Sequence, residues 1–261
     1  MYTPKIPRGS INHKISDEVK NLFKSIFYNL NSQKIVERFE QKFAFYNERK
    51  FCCAFPFART AFYYSIKALN IPLGSEIIMS PITIKPILDV ILELNLKPVF
   101  CDLDMDTLCY DEAQLKKKIN HNTKLIVVTY LFGMVPNLEI YSELKKNGKF
   151  IIEDFSQCLN GKFKNKCIGT FGDISIYSSS SIKTLDTYGG GLAIMDKETY
   201  KSWYEDWFNE EDYPEEYNHI QKVLKTLSDK PKTFESKSKR IDGVWYDYKV
   251  IDGKKTPLVK R

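Results

Sequence analysis

The sequence predicts an α/β fold, a mostly parallel sheet with helices packed on both faces. Three observations predict it. Short apolar runs alternate with stretches of helical periodicity over the first three quarters of the chain. The runs are apolar throughout, as expected of strands buried on both faces. Polar residues with chemical potential gather where the runs stop, and the carboxyl ends of strands are where open α/β sheets bind ligands.

In chain order, Ile15, Val19, Phe23, Ile26, Phe27 and Leu30 fall on one helical face, with Ser16 or Asp17 as its cap. Further helices are expected over 60–69, 84–94, 111–119 and 137–146, and strands over 76–79, 98–102, 124–131, 149–153, 173–178 and 191–195. After about residue 196 the texture changes. An aromatic and acidic stretch is followed by a basic, polar one, and "IDGVWYDYKVIDGKKTPLVKR" reads as a short hairpin or an extended tail. Residues 1–196 are therefore expected to form one large domain and 197–261 an irregular or partly helical extension, with 222–261 marginally ordered or dependent on a partner surface.

The run "GDISIYSSSSIKTLDTYGGGLAIM" reads strand, polar turn, lysine, glycine-rich turn, strand. It places the Lys183 amine where two strand ends open toward a ligand. An amine held there can form a covalent imine with an aldehyde cofactor, provided its surroundings leave some of it neutral. The strand in "KFIIEDFSQCLNG" ends in Glu153-Asp154, followed by Gln157. Pyridoxal phosphate needs an acid against its pyridine nitrogen, and an Asp on one strand end with a Lys on another meets that need.

The ordered segments "ARTAFYYSIKALNIPLGSEIIMSPIT", "KPVFCDLDMDTL", "TKLIVVTYLFG", "IIEDFSQCLNG" and "IGTFGDISIYSSSSIKTLDTYGGGLAI" resemble the DegT/DnrJ/EryC1/StrS family of sugar aminotransferases. The upstream "NLNSQKIVERFEQKFAFYN" is similar to the family's leading helix. The resemblance implies the large domain of a type I-like aminotransferase that uses pyridoxal 5'-phosphate. It implies Lys183 as the Schiff-base lysine, Asp154 on the pyridine nitrogen, Gln157 beside the phenolic oxygen and Ser178 on the phosphate. Ala58, Arg59 and Thr60 stand at the phosphate-binding turn that opens a helix, where backbone N–H groups and the helix dipole favour an anion. Ile84 stands where the family commonly has an aromatic ring stacked on the cofactor; it covers a ring face without stacking as an arene does. The family's dehydratase-like relatives carry histidine at the lysine position, whereas this chain has Lys183.

The activity so implied is amino transfer from an amino acid, typically glutamate, to a nucleotide-linked keto-sugar, in surface-polysaccharide or amino-sugar biosynthesis. The implied assembly is a homodimer, with Trp203, Tyr204, Trp207 and Phe208 covering apolar surface. Family members continue through a small C-terminal domain, and the chain ends at Arg261, short of it. A truncated, non-catalytic remnant or interaction module with at most weak cofactor binding is the rival reading. Plainer roles stand beside the sharp ones: a polar strand end for Ser178, a surface ion pair for Arg59, a tight turn for Gly189 to Gly191.

Composition narrows the classes further. With 43% hydrophobic residues the chain is not disordered, and its net charge of +6 is interspersed, without the arginine-rich stripe of a nucleic-acid binder. Cys52, Cys53, Cys101, Cys109, Cys158 and Cys167 are scattered and read as reduced residues of a cytoplasmic protein. The start "MYTPKIPRGSINHKISDE" has no apolar signal stretch, and no apolar run is long enough to span a membrane. Asp102, Asp104 and Asp106 mimic a calcium loop, but Thr107 and Ala113 stand where glycine and glutamate are needed. His13, His121 and His219 lie in polar contexts and read as solvated.

Overall fold

The computed structural model describes residues 14–27, 33–180, 182–187 and 189–203, with the backbone of three strands between 238 and 257. The chain divides into two compact units, Met1–Glu18 with Ser32–Pro214, and Val19–Asn31 with Glu215–Arg261.

The first unit is built on a seven-stranded sheet. Its strands are β1 (Phe51–Phe55), β2 (Glu76–Met79), β3 (Lys97–Phe100), β4 (Thr123–Thr129), β5 (Phe150–Asp154), β8 (Ile174–Ser178) and β9 (Gly191–Met195), in the spatial order β1-β9-β8-β5-β4-β2-β3. β9 runs against both its neighbours, and the remaining strands share one direction. The start of β9 therefore lies at the same edge as the carboxyl ends of the others. Between β5 and β8, β6 (Lys162–Phe163) and β7 (Lys166–Cys167) form a small hairpin. Lys164 and Asn165 both have positive φ there, as a two-residue hairpin loop requires.

Five helices accompany the sheet: α2 (Gln33–Tyr46), α3 (Ala58–Ala68), α4 (Lys85–Glu93), α5 (Glu112–Lys118) and α6 (Glu139–Lys146). Alternate residues along each strand feed two separate cores. Ile77, Met79, Leu125, Val127, Ile174, Ile176, Ala193 and Met195 pack with α3 and α4. Ile78, Ile126, Val128, Tyr177, Leu192 and Ile194 pack with α2, α5 and α6. The near-continuous apolar strands thus have both faces covered, as their composition requires.

Strands 76–79 and 191–195 fall where the sequence places them, and the expected helices agree to within two residues. The strand expected over 124–131 ends at Thr129, because Leu131–Gly133 turns into a 3-10 segment with Phe132 at positive φ. The first helix, α1 (Ile15–Phe27), starts one residue early: the Lys14 carbonyl accepts the N–H groups of Asp17 and Glu18. Ser16 and Asp17 therefore lie inside the first turn and not at its cap. The helix exposes Ile15, Val19, Leu22, Phe23, Ile26 and Phe27, and Leu30 lies outside the described residues.

In the C-terminal part, residues 198–203 are helical. β10 (Ser238–Ile241), β11 (Val244–Ile251) and β12 (Lys254–Pro257) form an antiparallel meander. Asp-Gly pairs at 242–243 and 252–253 separate the strands, and Asp-Gly is a strong two-residue hairpin signal.

Trp203 packs partly buried on the first unit's own core, its ring centroid 5.8 Å from that of Tyr64. Tyr204, Trp207 and Phe208 lie outside the described residues, as do His13 and His219, while His121 is exposed. The six cysteines are free, and all but the half-buried Cys167 are buried. The aspartate-rich loop has a structural explanation. Asp104 Oδ1 accepts the N–H groups of Asp106 and Thr107 and the Thr107 hydroxyl, and Thr107's bonds hold its carboxyl below the ordinary value. Among the described residues no helix is long and apolar enough to cross a membrane.

Candidate active site

A buried polar clamp holds the turn that leads into β8. Glu153, 1% exposed, accepts the Tyr130 hydroxyl and the Gly169 N–H on one oxygen and the N–H groups of Phe171 and Gly172 on the other. Arg49 takes the opposite side of the same turn, donating to the carbonyls of Gly169 and Gly172 and pairing with Asp196 at 2.8 Å. The turn's amides and carbonyls are thus satisfied by one buried anion and one buried cation. The clamp fixes the chain just before β8, and so fixes where Ser178 and the Lys183 segment emerge.

Asp154 is the next residue of β5, at the strand's end. Burial raises its carboxyl pKa, while hydrogen bonds from Ser156 and the charge of Lys183 oppose the rise. Lys183 is half-buried, and its N–H donates to the Ser180 carbonyl at 2.9 Å. The segment carrying it is closed at its base. The Ser179 N–H donates to the Gly190 carbonyl, the Thr187 N–H to the Ser179 carbonyl, and the Thr187 hydroxyl to the Gly189 carbonyl. The buried Tyr177 hydroxyl accepts the Leu185 N–H. Asp154 and the segment carrying Lys183 therefore leave neighbouring parallel strands at the same edge.

On the other side of β8, Ser178 pairs with Gly191, and Gly191 abuts the first turn of α3. A Cβ on Gly191 would stand 2.3 Å from both Ala58 N and Phe57 C. Gly189 and Gly190 have φ of 146° and 118°, a region open mainly to glycine. The triplet thus makes the turn and also allows a close backbone approach. Gly191→Ala is expected to destabilise the protein by about 2 kcal/mol through overpacking. Thermal unfolding checks this, and an unchanged melting temperature would show that α3 does not rest against β9.

No side chain caps α3, so its opening amides face the sheet edge beside Ser178 without a built-in anion. Among the three residues expected there, Thr60 is buried and its N–H already donates to the Phe57 carbonyl. Ala58 and Arg59 precede that first bond, and the Arg59 guanidinium lies over the Phe57 ring at 4.1 Å.

Gln157 is exposed, and its Oε1 accepts the Phe132 N–H at 3.0 Å, which fixes the orientation of the amide. Ile84 is the N-cap of α4 and is 60% exposed, with no bond tying it to Asp154 or Lys183. The structure thus gathers Asp154, Lys183, Ser178, Ala58 and Arg59 around one edge and places Gln157 one turn beyond Asp154.

Sequence reasoning passed over Ser156, whose N–H donates to Asp154 Oδ1 and whose hydroxyl accepts the Ser178 N–H. A serine two residues after an aspartate is an Asx-turn pattern, and that was its available signal. Glu153 and Arg49 were also passed over as partners, because their contacts span up to 147 residues of sequence.

The model of the DegT/DnrJ/EryC1/StrS aminotransferase family matches residues 10–205. GDP-perosamine synthase of Escherichia coli is 32% identical over 165 residues, 63% of this chain and 45% of that protein. The spore coat polysaccharide biosynthesis protein SpsC of Bacillus subtilis is 30% identical over 62% of this chain and 42% of that protein. The chain spans less than half the length of these two curated relatives. Among solved structures, Escherichia coli GDP-4-keto-6-deoxy-D-mannose-3-dehydratase with bound hydrated PLP superposes with a TM-score of 0.67 at 26% identity, over 74% of this chain and 52% of that one. An aminotransferase from Psychrobacter cryohalolentis gives 0.70 at 24% identity over 88% of this chain and 57% of that one, a likeness of fold.

Proposed function

Because the chain belongs to the DegT/DnrJ/EryC1/StrS aminotransferase family, we propose that it carries the cofactor site of a pyridoxal-phosphate-dependent aminotransferase. The reaction is transfer of an amino group from an amino acid, glutamate in the first instance, to a nucleotide-linked keto-sugar in surface-polysaccharide or amino-sugar biosynthesis. The proposal includes a homodimer working in the cytoplasm, with residues 1–196 as the cofactor-binding large domain.

The residues present fit the cofactor. An uncapped helix start beside Ser178 suits a phosphate, and a buried carboxylate beside a lysine suits a protonated ring nitrogen next to an aldehyde. Bound pyridoxal phosphate would supply an electron sink for a carbanion at the donor's α-carbon. Lys183 would hold it covalently and, once released by the donor's amine, take and return the α-proton. Asp154 would keep the ring nitrogen protonated, and Gln157 would present its amide N–H to the phenolic oxygen. Ser178, Ala58 and Arg59 would hold the phosphate, with Thr60 anchoring their turn, and Ile84 would cover a ring face.

The observation that carries this reading is that parallel neighbours β5 and β8 bring the half-buried Asp154 and the segment bearing Lys183 out at the same, ligand-binding edge of the sheet. The test is to add glutamate to chain loaded with pyridoxal phosphate and follow both the cofactor's absorbance and 2-oxoglutarate. The expected result is loss of the lysine-bound band with stoichiometric 2-oxoglutarate. An unchanged spectrum with no keto acid would refute it.

A further inference from the structure

We infer that Ser156 is a positioning residue for this site, joining the proposed ring-nitrogen partner Asp154 to the proposed phosphate partner Ser178. The inference rests on the cofactor reading above. Ser156 donates its N–H to Asp154 Oδ1 at 3.1 Å, and its hydroxyl side chain also favours the ionised form of that carboxylate. The hydroxyl oxygen also accepts the Ser178 N–H at 2.9 Å. With its lone pairs engaged by the Ser178 N–H, the hydroxyl keeps its own proton free to turn toward the Asp154 side.

Two strand ends are tied by this one side chain. Directly below it the Phe155 N–H donates to the Ile176 carbonyl, so β5 and β8 stay paired up to the site. Without the serine hydroxyl the last link is missing, and the spacing between a ring nitrogen and a phosphate is no longer fixed by the protein. A small displacement in such a site is felt because the cofactor is rigid and engages both ends.

The electrostatic consequence has a definite sign. Burial raises the Asp154 carboxyl, and the Ser156 bonds are the first of the influences opposing it, followed by Lys183. Lys183 is the charged group that faces Asp154 from the neighbouring segment; Glu153, next on β5, is engaged with Tyr130 and the turn before β8. Asp154 must be ionised to meet a protonated ring nitrogen. Binding therefore weakens as pH falls through its pKa, and losing the hydroxyl moves this acid limb to higher pH.

The experiment titrates the full chain with pyridoxal 5'-phosphate across pH, reading affinity from the absorbance of the lysine-bound cofactor. Wild type is compared with Ser156→Ala, Ser156→Thr, Asp154→Asn and the Ser156→Ala/Asp154→Asn double variant. Ser156→Ala is expected to bind about tenfold more weakly on the acid side, with its limb moved up by about one pH unit. Ser156→Thr, which keeps the hydroxyl, restores the wild-type limb, and in the Asp154→Asn background Ser156→Ala adds no further shift. Should the alanine variant fail to fold, Ser156→Cys, a weaker donor of similar size, is expected to shift the limb in the same direction by less.

A limb unmoved in Ser156→Ala, or in Ser156→Cys where that variant stands in, overturns the inference alone. So does an equal shift with Asp154 already replaced. Absence of a lysine-bound band in the wild type overturns the cofactor reading and the inference with it.

Discussion

Replacing Glu153 by alanine is expected to destabilise the first unit by about 4 kcal/mol, a fall of roughly 10 °C in melting temperature. The residue is 1% exposed, and its oxygens accept the Tyr130 hydroxyl and the N–H groups of Gly169, Phe171 and Gly172. Its removal leaves those donors buried without an acceptor. The buried Arg49 guanidinium keeps its pairing with Asp196, so its charge does not make up the loss. Glutamine is not a remedy, because every group aimed at the two oxygens is a donor and an amide nitrogen would meet N–H groups head-on. Circular dichroism on heating distinguishes the outcomes. A glutamine variant as stable as wild type would show that the clamp does not need an anion.

This clamp also shows what a sequence conceals. The Glu153-Asp154 pair is visible as acidic residues at the end of an apolar strand, and the strand geometry sends their side chains to opposite faces. Which of the two holds the fold and which faces a ligand depends on Arg49, Tyr130 and residues 169–172, and those contacts are set by pairing across the sheet. Strand β1 was missed for a related reason. "FCCAF" is five residues long and carries no period of its own, and only pairing with β9 makes it a strand.

The legible parts are those with local causes. Helices α3, α4, α5 and α6 announce themselves by apolar periodicity, and β9 by an apolar run behind three glycines. Lys183 was legible because a lysine between a polar turn and a glycine turn is unusual, and Asp154 because it ends a strand. Thr60 illustrates what the sequence leaves open. From sequence its amide looks like one of a set at a helix start, whereas the helix's own first turn has already engaged it. Ser156 went unnoticed because its two partners come from different strands.

Lys183 is the proposed covalent anchor of a pyridoxal-phosphate site whose proposed acid is Asp154. Lys183 enters from a segment closed at its base by Ser179, Thr187 and the glycine turn, so its removal should leave the surrounding bonds, which are made by backbone and other side chains, in place. Lys183→Ala is therefore expected to fold as wild type and to retain the phosphate-binding turn, with loss of the amine as its consequence for chemistry. Amino transfer should fall by several orders of magnitude, since both the covalent anchor and the group that moves the α-proton are lost. The most direct measurement is the absorbance spectrum of wild type and Lys183→Ala after incubation with pyridoxal 5'-phosphate and removal of the excess. The account predicts a near-ultraviolet to visible band of lysine-bound cofactor in wild type, bleached by borohydride into a permanent label on Lys183, and no such band in the variant. An equal band in Lys183→Ala, or a label on another lysine, would contradict it.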